Sequence, residues 1–185
     1  LIANHILDAI KLKPQQRLLD IGGGTGTFAR LAAARFPEIE TAVFDLPQVI
    51  ASIAPRYRGT TQVISGNMFE DPIPKTFNTI SLVRILHDHD DDPVDKLLAR
   101  CFEALPAGGE LIIAEPMADT RGAESIGHTY FGFYLWAMGS GRPRTKHELQ
   151  AALERAGFAS IKEKRTHIPA LVRVVTAKKS DVIFY

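Results

Sequence analysis

A rhythm in this chain limits its fold more than any single residue does. Short runs rich in leucine and β-branched residues, at 17–21, 41–45, 61–64, 78–83 and 110–115, are separated by helical patterns at 27–36, 47–54 and 93–105. Strands that alternate with helices run parallel, because each helix carries the chain back across the sheet before the next strand starts. A further helical pair, about 124–138 and 145–156, leads to two more strand-like runs at 159–164 and 169–177. So few residues separate these two runs that a hairpin is predicted, and with it an antiparallel edge strand. The expected fold class is therefore α/β, a mostly parallel seven-stranded sheet covered by helices on both faces. No internal repeat, low-complexity tract or linker divides residues 1–185, so the chain reads as one domain. It opens inside a helical pattern, LIANHILDAI, so a further segment is expected before it.

Composition narrows the function classes. Lys and Arg number 22 against 21 Asp and Glu, a net charge of +1, which gives no support to a nucleic-acid or acidic-membrane partner. The single cysteine excludes an internal disulfide framework and fits a reducing compartment. Cys101 lies at helical spacing with Val94, Leu97, Leu98, Phe102 and Leu105, as a core residue would. No apolar stretch reaches the roughly 18 residues a membrane span needs, and no signal peptide is visible, so a cytoplasmic location is expected.

Ligands of such sheets bind at the carboxyl ends of the strands. After the first strand comes DIGGGTG, after the second DLPQ, after the third GNMF, after the fourth HDHDDD and after the fifth EPM. Glycines at a strand-to-helix turn let a ligand approach the helix N-terminus with no Cβ in the way. A dinucleotide loop needs G-x-G-x-x-G, but counting from Gly22 the third glycine is replaced by Thr27. The spacing here is D-x-G-x-G-x-G, through Asp20, Gly22, Gly24 and Gly26. Asp45, at the end of the second strand, is placed to accept from both ribose hydroxyls of a nucleoside, with capping of the helix near Pro47 as its other use. Leu46 follows it. Asn67 and Met68 offer an amide and an apolar face for a base.

The stretch His87, Asp88, His89, Asp90, Asp91, Asp92 contains metal-ligand types. Its aspartates also suit a plainer use, with Asp92 as N-cap, Pro93 at N1 and Asp90 and Asp91 before a positive helix end. His87 directly follows the strand ISLVRIL, on the same rim as the glycine loop; a buried structural histidine is the alternative.

Two resemblances join these observations. The D-x-G-x-G-x-G loop resembles the first motif of class I S-adenosylmethionine-dependent methyltransferases. The segment ILHDHDDDPVDKLLARCFEALPAGGELIIAEPM resembles the O-methyltransferase family that includes plant phenolic and acetylserotonin methyltransferases. LVRILHDHDDDPV, EPMADT and FYLWAMGSGRPRT look most like its bacterial carotenoid branch, the demethylspheroidene (hydroxyneurosporene) O-methyltransferases. The resemblance runs from residue 15 to about 178. It implies a Rossmann-like fold, S-adenosylmethionine as cofactor, His87 as general base and Glu115, 28 residues on, as the group that holds it. It also implies an N-terminal helical dimerisation domain outside this chain, and hence a homodimer.

The chain departs from the family pattern in three places. His89 stands where the motif has tryptophan, which removes an aromatic wall near the cofactor. Asn67 stands where relatives often carry aspartate. Pro143, in GSGRPRT, stands where a second glutamate is expected, so the orientation of His87 rests on Glu115 alone or on a group the sequence does not reveal.

The helix SIGHTYFGFYLWAMGSG carries more large apolar groups than one core stripe needs. Tyr130, Tyr134 and Met138 are expected to line the acceptor pocket, core or dimer contacts being the alternative. The reading is an O-methyltransferase acting on a hydroxyl of a small apolar molecule, a hydroxylated acyclic carotenoid, with peripheral contact at the inner membrane. Its rivals are a phenol or indole O-methyltransferase using the same residues, and a non-catalytic nucleoside-binding regulator.

Overall fold

The computed structural model describes residues 2–53, 55, 61–121 and 139–181. In chain order the elements are α1 (Ile2–Ala9), β1 (Arg17–Ile21), α2 (Thr27–Arg35), β2 (Glu40–Asp45), α3 (Pro47–Ala51), β3 (Gln62–Ser65) and β4 (Thr79–Val83). There follow a single 3₁₀ turn (Leu86–Asp88), α4 (Asp91–Ala104), β5 (Glu110–Glu115), α5 (Lys146–Arg155), β6 (Ala159–Lys164) and β7 (Arg173–Lys178). The predicted helix at 124–138 lies outside the described residues.

All seven strands join one sheet in the order β3-β2-β1-β4-β5-β7-β6. The pairs among β1 to β5 are parallel, and β7 runs antiparallel to both β5 and β6. The expected hairpin is present, with its antiparallel member one place in from the edge and β6 outermost. Strand β7 also starts later than the apolar pattern at 169–177 suggests. Pro169 has no N–H for a ladder, and the amides of Leu171 and Val172 turn back to the Ile168 carbonyl, at 2.9 and 3.1 Å.

Alternate residues of each strand feed alternate faces, as the pleat requires. Leu19, Ile21, Leu111 and Ile113 join Leu97, Leu98 and Leu149 in a core under α4 and α5. Leu18, Ile112 and Ala114 join Ile6, Leu7 and Phe28 in a second core under α1 and α2. Cys101 is fully buried in the first of these. Because β5 is buried on both sides, Leu111 to Ala114 read as a continuous apolar run.

Two helix starts have instructive chemistry. Helix α4 begins earlier than expected: Asp90 is its N-cap residue and Pro93 lies within its first turn, so Asp92 is not the cap. The Asp90 side chain does not bond the helix; it accepts instead from the amide of Gly141, at 2.9 Å. Helix α5 begins with a capping box, in which Thr145 Oγ1 accepts from the Glu148 amide at 3.1 Å. The Glu148 carboxylate in turn accepts from the Thr145 amide at 2.9 Å.

Candidate active site

The carboxyl ends of β1, β2, β3 and β4 surround a cavity of about 220 Å³. Its wall includes Gly22, Asp45, Leu46, Asn67, Met68 and His89, so five of the eight residues expected to hold the cofactor share one hollow. A larger hollow of about 490 Å³ opens at the opposite end of the sheet, beside Lys13, Gln16 and Gly108. It lies at the amino ends of the strands, away from the glycine loop, and is not where a sheet of this kind binds its ligand.

Gly22, Gly24 and Gly26 all have φ between 57° and 76°, a region that L side chains rarely occupy. Gly26 is the N-cap residue of α2, so the loop turns its backbone toward the positive end of that helix. Asp45 is held by this loop. Its Oδ2 accepts from the Gly24 amide at 2.8 Å and its Oδ1 from the Leu46 amide at 2.7 Å. Its carboxylate is thus aimed at the cavity wall, and it does not cap α3, whose N-cap residue is Leu46.

Asp20 lies beneath the loop and is 1% exposed. One oxygen accepts from the Ser81 hydroxyl at 2.7 Å; the other, Oδ2, has no hydrogen-bond partner among the described residues. Burial pushes its carboxyl up to about 7, the Ser81 bond opposes that rise, and the Asp45 charge adds to it. Asn67 uses its carbonyl oxygen to accept from the Phe69 amide at 2.9 Å. One lone pair of that oxygen remains for a ligand. Gly66 leaves no room for a side chain, since a Cβ there would meet the Phe44 ring at 2.6 Å.

His89 corrects one expectation. The imidazole packs edge-on against Phe69, with centroids 4.9 Å apart and planes at 79°. The wall that tryptophan would supply is therefore rebuilt from a smaller ring. Burial holds that imidazole below its ordinary range, with the Arg144 and His87 charges acting the same way and Asp88 and Glu115 opposing.

The second half of the site stands at β4 and β5. The backbone leaves β4 through Arg84, a non-glycine residue at φ 57° whose amide donates to Ala114 O at 2.8 Å. The 3₁₀ turn then buries His87 to 4% exposure, beside the equally buried Glu115 at the end of β5. Glu115 Oε2 lies 2.7 Å from His87 Nδ1, and Oε1 accepts from the Leu86 amide at 2.6 Å. A carboxylate at Nδ1 makes that nitrogen the donor and leaves the lone pair on Nε2. Asp88 Oδ1 stands 3.2 Å from Nε2, within ion-pair distance but outside hydrogen-bond geometry. Asp90 and Asp91 point away from the imidazole, Asp90 to Gly141 and Asp91 to Arg142 and Arg144. Among the described residues no group of three His, Cys, Asp or Glu side chains could hold a metal ion. Tyr130, Tyr134 and Met138 lie outside the described residues.

Sequence reasoning did not single out Arg144, and named Asp88 only within the acidic stretch of metal-ligand types. The signal for Arg144 was its place beside Pro143, where the family pattern is broken.

A sheet in the order 3-2-1-4-5-7-6 with one reversed strand, a glycine loop after β1 and an acid after β2, defines a class I methyltransferase fold. The chain belongs to the O-methyltransferase domain family, whose model matches residues 1–159. It is 40% identical over 178 residues to demethylspheroidene O-methyltransferase of Rhodobacter capsulatus, covering 96% of this chain and 45% of that protein. It is 36% identical over 171 residues to norreticuline-7-O-methyltransferase of Papaver somniferum, covering 88% and 46%. The chain thus spans about half the length of the curated relatives it matches. Among solved structures, human N-acetylserotonin methyltransferase in complex with SAM superposes with a TM-score of 0.84 at 26% identity, over 97% of this chain and 52% of that one. Mitomycin 7-O-methyltransferase, at 23% identity and the same TM-score over 96% of this chain and 53% of its own, shares the fold.

Proposed function

We propose that this chain is the catalytic part of an S-adenosylmethionine-dependent O-methyltransferase that acts on a hydroxyl of an apolar acceptor, a hydroxylated acyclic carotenoid. The buried His87–Glu115 pair beside the glycine-loop cavity carries the reading most directly. The cofactor assignment has its own support. A cationic nucleoside fits a hollow with an aimed carboxylate at its wall and a second, half-partnered one beneath the loop. Asp45 would accept from the ribose, Met68 and His89 would flank the base, and Asp20 would answer the positive charge of the methionine part.

Bound there, S-adenosylmethionine supplies a methyl group made electrophilic by its cationic sulfur. The chain's own task is to align an acceptor oxygen with that methyl and to remove its proton. His87 Nε2 takes the proton as the oxygen–carbon bond forms and the methyl–sulfur bond breaks, its electron pair leaving with the sulfur, because an aliphatic alcohol is too weak an acid to ionise beforehand. Glu115 keeps Nδ1 protonated and stabilises the imidazolium, while Asp88 lies on the side where the new charge appears. A placed base of this kind contributes about 10²–10⁴-fold.

Two relatives at 39–40% identity are named for demethylspheroidene, which supports the carotenoid over the phenol. Homodimerisation and contact with a membrane surface belong to the same proposal. Among the described residues no helix is long and apolar enough to cross a membrane.

The test is transfer of labelled methyl by the full-length protein to a hydroxylated acyclic carotenoid in detergent, compared with caffeate- and serotonin-like acceptors. Carotenoid turnover is expected, with His87→Gln lowering it by about 10²-fold or more while S-adenosylhomocysteine still binds. Efficient methylation of a small phenol alone would leave only the generic O-methyltransferase; cofactor binding with no acceptor turned over would favour the regulator.

A further inference from the structure

Pro143 stands where a second carboxylate was expected to steady the base, and the next residue is bonded to the base turn on both sides. Arg144 is 7% exposed. Its Nη1 donates to the carbonyl of Leu86 at 2.9 Å and its Nη2 to the carbonyl of His89 at 2.9 Å. The two carbonyls bracket His87 and Asp88, so one planar guanidinium closes a ring across the turn. The fork is itself aimed by Asp91 Oδ1, which accepts from Nη2 at 2.8 Å and from Nε at 3.1 Å. Asp91 is also paired with Arg142, at 3.0 Å. The Arg144 carbonyl accepts from the Ala118 amide at 3.1 Å, which ties the same residue to the loop that follows Glu115. Arg144 therefore joins the backbone on the base side to the backbone on the glutamate side.

A neighbouring contact tightens the same strap. Gly141, at φ 88°, lies so close to the peptide after His87 that an added Cβ would come within 2.4 Å of the His87 carbonyl. Its amide donates to Asp90 on the far side of the turn. Residues 139–145 thus cover the base turn from outside, with the contact made by a glycine and the fixing done by an arginine.

We propose that Arg144 is the positioning residue of His87, holding the turn by its backbone beside the position, Pro143, where the resemblance implied a second carboxylate. The inference rests on the reading of His87 as the base. Arg144 touches neither acceptor nor cofactor; it sets where Nε2 points. Arginine suits this because its fixed fork reaches two carbonyls and a carboxylate at once, whereas lysine is a point charge on a flexible stem. A displacement of about 1 Å in a reacting group can cost on the order of 10²-fold in rate.

The test uses the full-length protein with three variants, Arg144→Met, Arg144→Lys and, as reference, His87→Gln. One readout is methyl transfer to a hydroxylated acyclic carotenoid. The other is the proton resonance of the His87 Nδ1–H···Glu115 bond, assigned by its loss in His87→Gln. Arg144→Met is expected to lower kcat by about 10–10²-fold, leave S-adenosylhomocysteine affinity unchanged and broaden or remove the resonance. Arg144→Lys keeps the buried charge, and with it the fold, but cannot bond both carbonyls. It is expected to lose about tenfold in kcat at unchanged KM. Full activity and a sharp resonance in the lysine variant would overturn the proposal, because a merely structural cation would be satisfied by lysine. If His87→Gln itself turns over normally, the base reading falls. The resonance then decides the positioning role alone, its retention in Arg144→Met overturning it and its loss supporting it.

Discussion

Asp45 shows how much one residue's position can reveal and where that ends. Its place after β2, about 20 residues beyond the glycines, was enough to nominate it for a sugar. Nothing in the sequence said that both of its oxygens would already be held by the Gly24 and Leu46 amides. Held in this way, the carboxylate meets a ligand without losing rotamer freedom. Asp45→Ala is expected to weaken S-adenosylhomocysteine binding by about 1.5–3 kcal/mol, and unchanged affinity in calorimetry, with the fold intact, would remove Asp45 from the site. Asp20 makes a different prediction. Its ordinary value is 3.8 and burial raises it to about 7, so the folded chain keeps a proton that the unfolded chain gives up between those values. Stability from this group is therefore full below about pH 4 and declines as pH rises toward 7. Relative to Asp20→Asn, the native protein should lose stability across that window in denaturant titrations without ligand; the opposite slope would sink the assignment. The family resemblance nominated His87 and Glu115 together, and they lie 2.7 Å apart, whereas nothing pointed to Arg144, because its bonds go to backbone carbonyls, which no motif records.

At the scale of elements, periodicity located the helices and strands well and their ends less well. Helix α4 was expected to be capped at Asp92 because Asp-Pro is a strong start signal. Asp90 holds the cap position instead, since two positions earlier its side chain reaches Gly141 and Asp91 reaches the arginines. That choice was made by tertiary contact and not by propensity. The capping box of α5 is local and gives a clean prediction. Thr145→Ala should cost about 1 kcal/mol, read as a lower unfolding midpoint. The Thr145 amide is the largest cause holding Glu148 below the usual carboxylate range; burial opposes it, and the bond from Arg142 adds to the lowering. The stability Glu148 contributes is thus present above about pH 4.5 and lost as pH falls below it. Glu148→Gln should flatten that acid limb, and an unaltered limb would show that the box adds nothing in solution.

The whole molecule was legible because both of its cores follow from one alternation. β5 looks apolar along its buried stretch since it feeds Leu111 and Ile113 to one core and Ile112 and Ala114 to the other, and such two-sided burial is the mark of a parallel sheet. The insertion of β7 between β5 and β6 was not legible, since a hairpin's spacing fixes which strands pair but not which one meets the rest of the sheet. Strand β7 matters beyond its length. A chain shortened after residue 172 keeps the glycine loop, Asp45 and His87 yet leaves β5 without its second neighbour. It is expected to lose cooperative thermal unfolding, which calorimetry would detect; a sharp transition in the shortened chain would show that β5 stands without β7.

Glu115, the residue that steadies His87, pairs in register with Arg173, near the far end of the chain. On the ribosome, residues 1–115 emerge long before that partner exists. During that interval β5 is a sheet edge of apolar residues with an open ladder, a surface that invites a neighbouring nascent chain. Strand β7, 58 residues further along in register, is the one that closes it. The order of translation therefore leaves Glu115 on an open ladder until β7 has emerged, and a delay between β6 and β7 prolongs that exposure.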